Sequence, residues 1–144
     1  MNSSVTMAHP HHRRYLEAEV LNAEPLKLVL MLYRAALDAV AAARLHVQRG
    51  DIRERSRTIT RAMEIVNELA LSLNHAAGGD ISRNLAELYA YIQTRLIEAN
   101  TQQTEPPLAE VETLLSTLLA AWGSVPNTAP EPHEPEYAPV SCTY

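Results

Sequence analysis

Apolar residues recur at steps of three and four through most of the chain, which is the spacing that places them on one face of an α-helix. Pro25 begins the first such segment and Gly50 ends it, as is usual for the first position and the C-terminal cap of a helix. Asp51, with Glu54 three residues later, begins the second segment in the manner of a capping box. No segment shows the strict alternation of a strand, so the pattern predicts helices only.

The third and fourth helices are predicted on either side of a polar stretch, residues 100–107. Gly78-Gly79 interrupts the chain, and Asp80 is placed to cap the third helix. Each of the four helices carries one apolar stripe that we expect to face a shared core. The predicted stripes are Leu26, Val29, Tyr33, Ala36, Val40, Ala43 and Val47; Ile52, Ile59, Met63, Val66, Ala70 and Leu73; Ile81, Leu85, Leu88, Ile92 and Ala99; and Leu108, Val111, Leu115, Leu118 and Trp122.

Four helices joined by short loops favour an all-α fold, an antiparallel up-down four-helix bundle. We expect residues 1–24 to form a mobile N-terminal tail and cap segment and residues 25–122 to form the bundle. Residues 123–144 are rich in proline and glutamate and hold too little apolar surface to offset chain entropy, so we expect a disordered tail.

Composition excludes several classes of protein. Apolar residues make up 47% of the chain, which is enough for a core. The 12 basic and 17 acidic residues give a net charge of -5, which argues against a nucleic-acid partner. The single cysteine cannot form an internal disulfide. No apolar run reaches the length of about 18 residues that suggests a membrane span, and the N-terminus lacks the apolar region of a signal peptide, so we expect a cytoplasmic protein.

Candidate catalytic chemistry is sparse. A di-iron site in a four-helix bundle needs Glu-x-x-His pairs, and the sequence contains none. His46 and His75 each lack a second ligand one helical turn away, and Cys142 has no neighbouring base. We therefore predict no metal, no cofactor and no enzymatic activity.

The helices carry more apolar residues than one stripe each requires. One interpretation is that the stripes are wide, because a bundle core uses about three residues in seven. The other is a second apolar face that accepts an amphipathic helix from a partner. Residues 15–24 could cover part of such a face when no partner is bound. The surplus positions are Leu30, Leu37, Ile65, Leu69, Leu71, Tyr89, Tyr91, Leu96, Leu114 and Leu119.

A run in the third helix resembles a family motif. Leu88-Tyr89-Ala90-Tyr91, followed by Arg95-Leu96-Ile97-Glu98-Ala99-Asn100, is similar to the LY-x-Y-x3-RL-x2-AN stretch of the FliS family of flagellin-export chaperones. The start of the first helix at Pro25, the turn at Gly50-Asp51 and the segment from Glu110 to Trp122 occur in the family's order. The resemblance covers residues 15–122. The chain departs from it at Arg34-Ala35 and at Pro106-Pro107.

The resemblance implies a chaperone that binds the C-terminal segment of flagellin, which is disordered in the monomer and helical in the filament. It also implies that the N-terminal segment moves on binding and contacts a component of the flagellar type III export gate. We expect the cap and gate contact to use Tyr15, Leu16 and Val20. We expect the flagellin-facing residues to be Leu30, Leu37, Ile65, Leu69, Tyr89, Tyr91 and Leu96.

Three alternatives stay open at this point. Another helix-binding adaptor or secretion-linked chaperone would share the surplus apolar face, although it would not explain the motif in the third helix. A weak homodimer could bury the same face against a second copy. A four-helix metalloenzyme is disfavoured because the ligand pairs are missing. No nucleic acid and no membrane insertion are expected.

Overall fold

A computed structural model describes residues 25–125, and four α-helices account for nearly all of them. In chain order, α1 spans Pro25–Arg49, α2 spans Ile52–Leu71, α3 spans His75–Gln102 and α4 spans Pro106–Gly123. The prediction of an all-α fold is confirmed. The predicted N-terminal cap segment and most of the predicted C-terminal tail lie outside the described residues.

Each helix packs against two others. α1 and α3 both pack against α2 and α4, so α1 and α3 are diagonal across the core. Because short turns join consecutive helices, the arrangement is the predicted up-down four-helix bundle. One end, here the Pro25 end, carries the start of α1, the α2–α3 turn and the end of α4. The opposite end, here the Gly50 end, carries the α1–α2 and α3–α4 turns.

The α1–α2 turn forms as its sequence predicts. Gly50 has a φ of 71°, a left-handed conformation that glycine adopts without steric cost. Asp51 is the N-cap of α2, and its carboxylate accepts a hydrogen bond from the Glu54 backbone N–H at 3.2 Å. Both features are local, so they follow from neighbouring residues alone.

The start of α3 differs from the prediction. Asn74, not Asp80, is the N-cap, and its side chain accepts from the Ala77 N–H at 3.1 Å. The helix is kinked at Gly79, whose φ of 54° and ψ of -125° are not helical. Gly78 is required because a Cβ there would lie 1.9 Å from the Ser82 Oγ. Gly79 therefore interrupts the regular helix between its first turn and the residues that follow, as the glycine pair predicted.

Two of the four predicted stripes match the core. Tyr33, Ala36, Val40 and Ala43 of α1 are buried, as are Leu108, Val111 and Leu115 of α4. In α2 and α3 the predicted register is wrong in part. The buried stripes there are Ile59, Ala62, Val66 and Leu69, and Tyr89, Ile92, Leu96 and Ala99.

The corrected stripes alternate steps of four and three, the seven-residue repeat of interlocking helices. Met63, Ala70 and Leu88 lie on the flanks and are half-buried. Ile52 is 58% exposed and Ile81 is 67% exposed, because both stand near helix ends where no neighbouring helix covers them. Small residues such as Ala62 occupy the inner positions and let the helices approach closely.

A hydrogen-bonded group of three aromatic residues crosses the core. The Tyr33 and Tyr89 hydroxyls lie 2.5 Å apart and join α1 to α3 across the diagonal. The Trp122 Nε1–H of α4 donates to the Tyr33 hydroxyl at 3.2 Å. Burial raises the pKa of both tyrosines, which keeps the hydroxyls protonated.

Within residues 25–125, no helix has the length and hydropathy needed to cross a membrane.

Candidate functional site

Four of the predicted partner-facing residues belong to the core. Ile65, Leu69, Tyr89 and Leu96 are at most 7% exposed. The prediction that they form an outer apolar face is therefore wrong. The physical reason is the register of α2 and α3, which turns these side chains inward and leaves residues such as Met63 and Leu88 on the flanks.

Three predicted residues remain at the surface. Tyr91 is 43% exposed, and Leu30 and Leu37 are half-buried. Tyr15, Leu16 and Val20 lie outside the described residues. The other exposed large apolar residues of the described chain are Leu45, Ile52, Leu71, Ile81, Ile97 and Val125.

Leu30 and Leu37 lie on the side of α1 that borders α4. They precede Arg44 by fourteen and seven residues, and a spacing of seven keeps side chains on one stripe of a helix. Arg44 forms ion pairs with Glu105 and Glu112, which places this stripe against the α4 side. Leu30 and Leu37 therefore lie along the boundary between α1 and α4, which we call the α1–α4 groove.

The α4 side of this groove follows the same repeat. Glu105, Glu112 and Leu119 are seven residues apart, and Leu119 packs against the core as a half-buried side chain. The groove is consequently divided along its length. Toward the Pro25 end it is apolar, with Leu30, Leu37 and Leu119, and toward the Gly50 end it is ionic.

A second groove, between α3 and α4, holds Tyr91. Its hydroxyl donates to Glu110 at 2.6 Å, and the Arg95 Nε–H donates to the other oxygen of that carboxylate at 2.6 Å. Arg95 also pairs with Glu98. The Tyr91 hydroxyl and then Arg95 lower the pKa of Glu110, and the Glu110 carboxylate raises the pKa of Tyr91. The Tyr91 hydroxyl is thus fixed at α4, and the side chain stays partly exposed at the surface.

The motif in α3 connects this helix to all three others. Tyr89 bonds to α1, while Tyr91 and Arg95 bond to α4. The Asn100 Oδ1 accepts from the Arg55 Nε–H of α2 at 3.1 Å and from the Ser56 hydroxyl at 3.2 Å. The polar residues of the motif therefore hold the bundle together, and Leu96 and Ala99 fill its core.

Sequence reasoning missed the charged residues of both grooves. Arg44 is 61 residues from Glu105 and 68 from Glu112 along the chain, so no local pattern joins them. The only available signal was the seven-residue spacing shared by 30, 37 and 44 and by 105, 112 and 119. The burial of Arg55 on α2 was also missed. Its side chain is 6% exposed and lies near the C-terminal end of α3, where the helix dipole favours a cation.

The described residues offer little toward a metal site. Between Pro25 and Val125, no group of three or more histidine, cysteine, aspartate or glutamate side chains is placed to hold a metal ion. The outer face of α2 has a shallow depression lined by Ser56, Arg57, Thr60, Arg61 and Glu64. Its mixed charges are typical of a solvated helix face.

Comparisons with known proteins point to one family. A family model described as Flagellar protein FliS matches residues 7–129. The flagellar secretion chaperone FliS of Salmonella typhimurium is 36% identical over 111 residues, covering 76% of this chain and 82% of that protein. The flagellar secretion chaperone FliSB of Pseudomonas aeruginosa is 34% identical over 110 residues, with coverage of 76% and 87%. FliS of Escherichia coli is 31% identical over 108 residues, with coverage of 74% and 79%.

Proposed function

Since this chain belongs to the FliS family of flagellar secretion chaperones, we propose that it is a cytoplasmic export chaperone for flagellin. It binds the C-terminal helical segment of flagellin, prevents premature polymerisation and aids delivery to the flagellar type III export gate. The observation that supports this most directly is the apolar half of the α1–α4 groove, with Leu30, Leu37 and Leu119.

An amphipathic segment fits this surface for a simple reason. Its apolar stripe is exposed in the monomer and would otherwise pack against another copy, as helix-in-groove partners do. The groove supplies substitute packing at Leu30 and Leu37, and no covalent chemistry is needed. Release then follows when the segment unfolds or transfers at the gate.

The energetics favour contact with more than one surface. Ordering the segment costs about 5 kcal/mol and association up to about 15 kcal/mol. At about 25 cal/mol per Å², roughly 800 Å² of apolar burial offsets both. A single surface patch of a monomer provides about 300–600 Å². We therefore place the segment across both grooves that flank α4, so that it reaches Tyr91 as well as Leu37.

The N-terminal segment, residues 1–24, is proposed as a movable cap. Val20 is five residues before Pro25, and five extended residues span about 17 Å. Leu37 is twelve residues into α1, or about 18 Å along the helix axis. Val20 can therefore reach the apolar half of the groove, together with Tyr15 and Leu16. We propose that flagellin displaces this cap and that the displaced segment contacts the gate.

The direct test uses the full chain and flagellin from the same organism. Full-length flagellin should co-purify with the chain, and flagellin truncated at its C-terminus should not. Leu37→Glu should reduce co-purification because it places a charge in the groove. Leu71→Glu is the matched control, since Leu71 is 71% exposed and lies outside both grooves.

Each outcome has a clear meaning. Capture of truncated flagellin as efficiently as the full-length protein would contradict binding through the C-terminal segment. Capture of other helical proteins without flagellin would support the adaptor alternative instead. Sedimentation of the purified chain decides whether a homodimer buries the groove. The delivery step is tested by measuring flagellin secretion in cells that lack the chain, which should fall.

A further inference from the structure

We propose that the part of the flagellin segment that lies in the α1–α4 groove is a helix, with one lysine or arginine side chain over the Glu105–Glu112 pair. This inference rests on the proposed function and adds the chemistry and the placement of the bound segment. Apolar contacts alone accept many amphipathic helices, whereas a charge at a fixed position selects among them.

The ionic half of the groove contains one cation for two anions. Arg44 bridges Glu105 and Glu112, so one positive and two negative side chains leave a formal charge of minus one. The three side chains are 32%, 30% and 34% exposed, respectively. A cation from a partner can therefore approach the carboxylates while Arg44 stays in place. Hydrogen bonding to Glu105 raises the pKa of Arg44, which keeps it charged.

Beside the apolar half of the groove, α1 carries two exposed basic residues, Lys27 and Arg34, and one exposed acidic residue, Asp38. Arg34 is exposed and is one helical turn from both Leu30 and Leu37. It lies ten residues before Arg44, or about 15 Å along α1. A basic side chain of the bound helix is repelled near Arg34 and attracted near Glu112. The difference in net charge between the two ends thereby favours the Glu105–Glu112 end for the partner's cation.

The groove between α3 and α4 has a similar ionic composition. There Arg95 bridges Glu98 and Glu110, again one cation for two anions. In that groove the Tyr91 hydroxyl already donates to Glu110, which reduces its capacity to accept from a partner. The α1–α4 groove is therefore the better site, and a charge reversal at Glu98 tests the other one.

The experiment measures affinity for a peptide of the flagellin C-terminal segment by calorimetry, using the full chain. Glu112→Lys reverses one groove charge, and Glu64→Lys on the outer face of α2 is the matched control with the same change in net charge. Glu112→Lys should weaken binding about three- to tenfold at low salt. The difference from the control should shrink between about 0.05 and 0.5 M salt because screening weakens the interaction.

A milder variant guards against a folding defect. Glu112→Gln removes the charge without adding a second cation beside Arg44, and it should weaken binding about two- to threefold. Helicity and Tm of each variant are measured alongside affinity. Changing each basic residue of the peptide to glutamate in turn should identify one position at which Glu112→Lys restores binding.

The outcomes separate this inference from the proposed function. If the unmodified chain does not bind the peptide, the proposed function itself fails. If it binds, but Glu112→Lys and Glu112→Gln both bind as well as Glu64→Lys, the assignment of the cation to this groove is overturned. A loss with Glu98→Lys and none with either Glu112 variant would also overturn it and move the cation to the α3–α4 groove.

Discussion

The substitution Leu96→Ala on α3 tests the core assignment most directly. Leu96 is fully buried, so the change removes its apolar contacts and leaves a cavity that neighbouring helices fill only in part. Buried leucine-to-alanine changes cost about 2–5 kcal/mol. A loss of about 3 kcal/mol lowers the Tm of a domain of roughly 100 residues by about 12–24 °C.

Leu71→Ala on α2 is the matched control, because it removes the same atoms from a side chain that is 71% exposed. We expect its free energy of unfolding to change by less than about 0.5 kcal/mol. Thermal unfolding followed by circular dichroism compares the two variants. A similar shift in Tm for both would refute the reasoning that places Leu96 in the core.

Binding of the flagellin segment distinguishes packing from partner contact at Leu96. The measurement is made at a temperature at which Leu96→Ala is fully folded. We expect unchanged affinity, because the side chain is enclosed by the helices of the bundle. A folded Leu96→Ala protein with a large loss of affinity would show instead that Leu96 contacts the partner.

Three further predictions concern a carboxylate, a backbone conformation and a buried hydroxyl. The Tyr91 hydroxyl lowers the pKa of Glu110 in the folded state. The ionised carboxylate therefore stabilises the fold at neutral pH. This contribution is lost as the pH falls from about 4.3, the ordinary pKa of glutamate, through the lower pKa of Glu110 in the folded protein. Glu110→Gln should therefore lower the Tm at neutral pH but not near pH 2, and an equal effect at both would contradict the assignment. Gly79→Ala should lower the free energy of unfolding by about 1–3 kcal/mol, because a φ of 54° with a ψ of -125° strains any residue other than glycine. The strain comes from the backbone alone, since no atom lies within 4 Å of the added Cβ. Gly123→Ala is its control and should leave denaturant unfolding nearly unchanged. Tyr33→Phe leaves the Trp122 indole N–H and the Tyr89 hydroxyl without their shared partner. The free energy of unfolding should fall by about 1–3 kcal/mol, and the fluorescence emission of the single tryptophan should change. An unchanged emission spectrum and Tm would argue against the hydrogen-bonded group.

The family motif shows how a sequence pattern and its structural meaning can differ. As a string of residues, the run from Leu88 to Asn100 indicated the family, and the comparisons bear that out. Its tyrosines and leucine were predicted to face the partner. In the structure Tyr89 and Leu96 are buried, and only Tyr91 is exposed. In this structure the residues of the motif join the helices, a role that the sequence alone did not reveal.

Features set by neighbouring residues were predictable. The bounds of α1 follow from Pro25 and Gly50, and the start of α2 follows from the Asp51 cap, because capping and left-handed turns involve atoms a few residues apart. The stripe of α1 was also predicted, and its central residues Tyr33, Ala36, Val40 and Ala43 are buried. Steps of three and four follow from the helical repeat alone, so they can be read from the sequence.

Tertiary structure decided the features that depend on two or more helices. In α2, Ala62 and Met63 are both apolar, and in α3, Leu88 and Tyr89 are adjacent, so the periodicity allowed two registers. Ala62 and Tyr89 are the buried members of these pairs. The positions of the neighbouring helices, and the space between them, decided which member is buried. Ion pairs such as Arg44 with Glu112 likewise join residues far apart in the chain. A single sequence determines which faces of a helix can be buried, whereas the choice among them is made by packing, which no local pattern encodes.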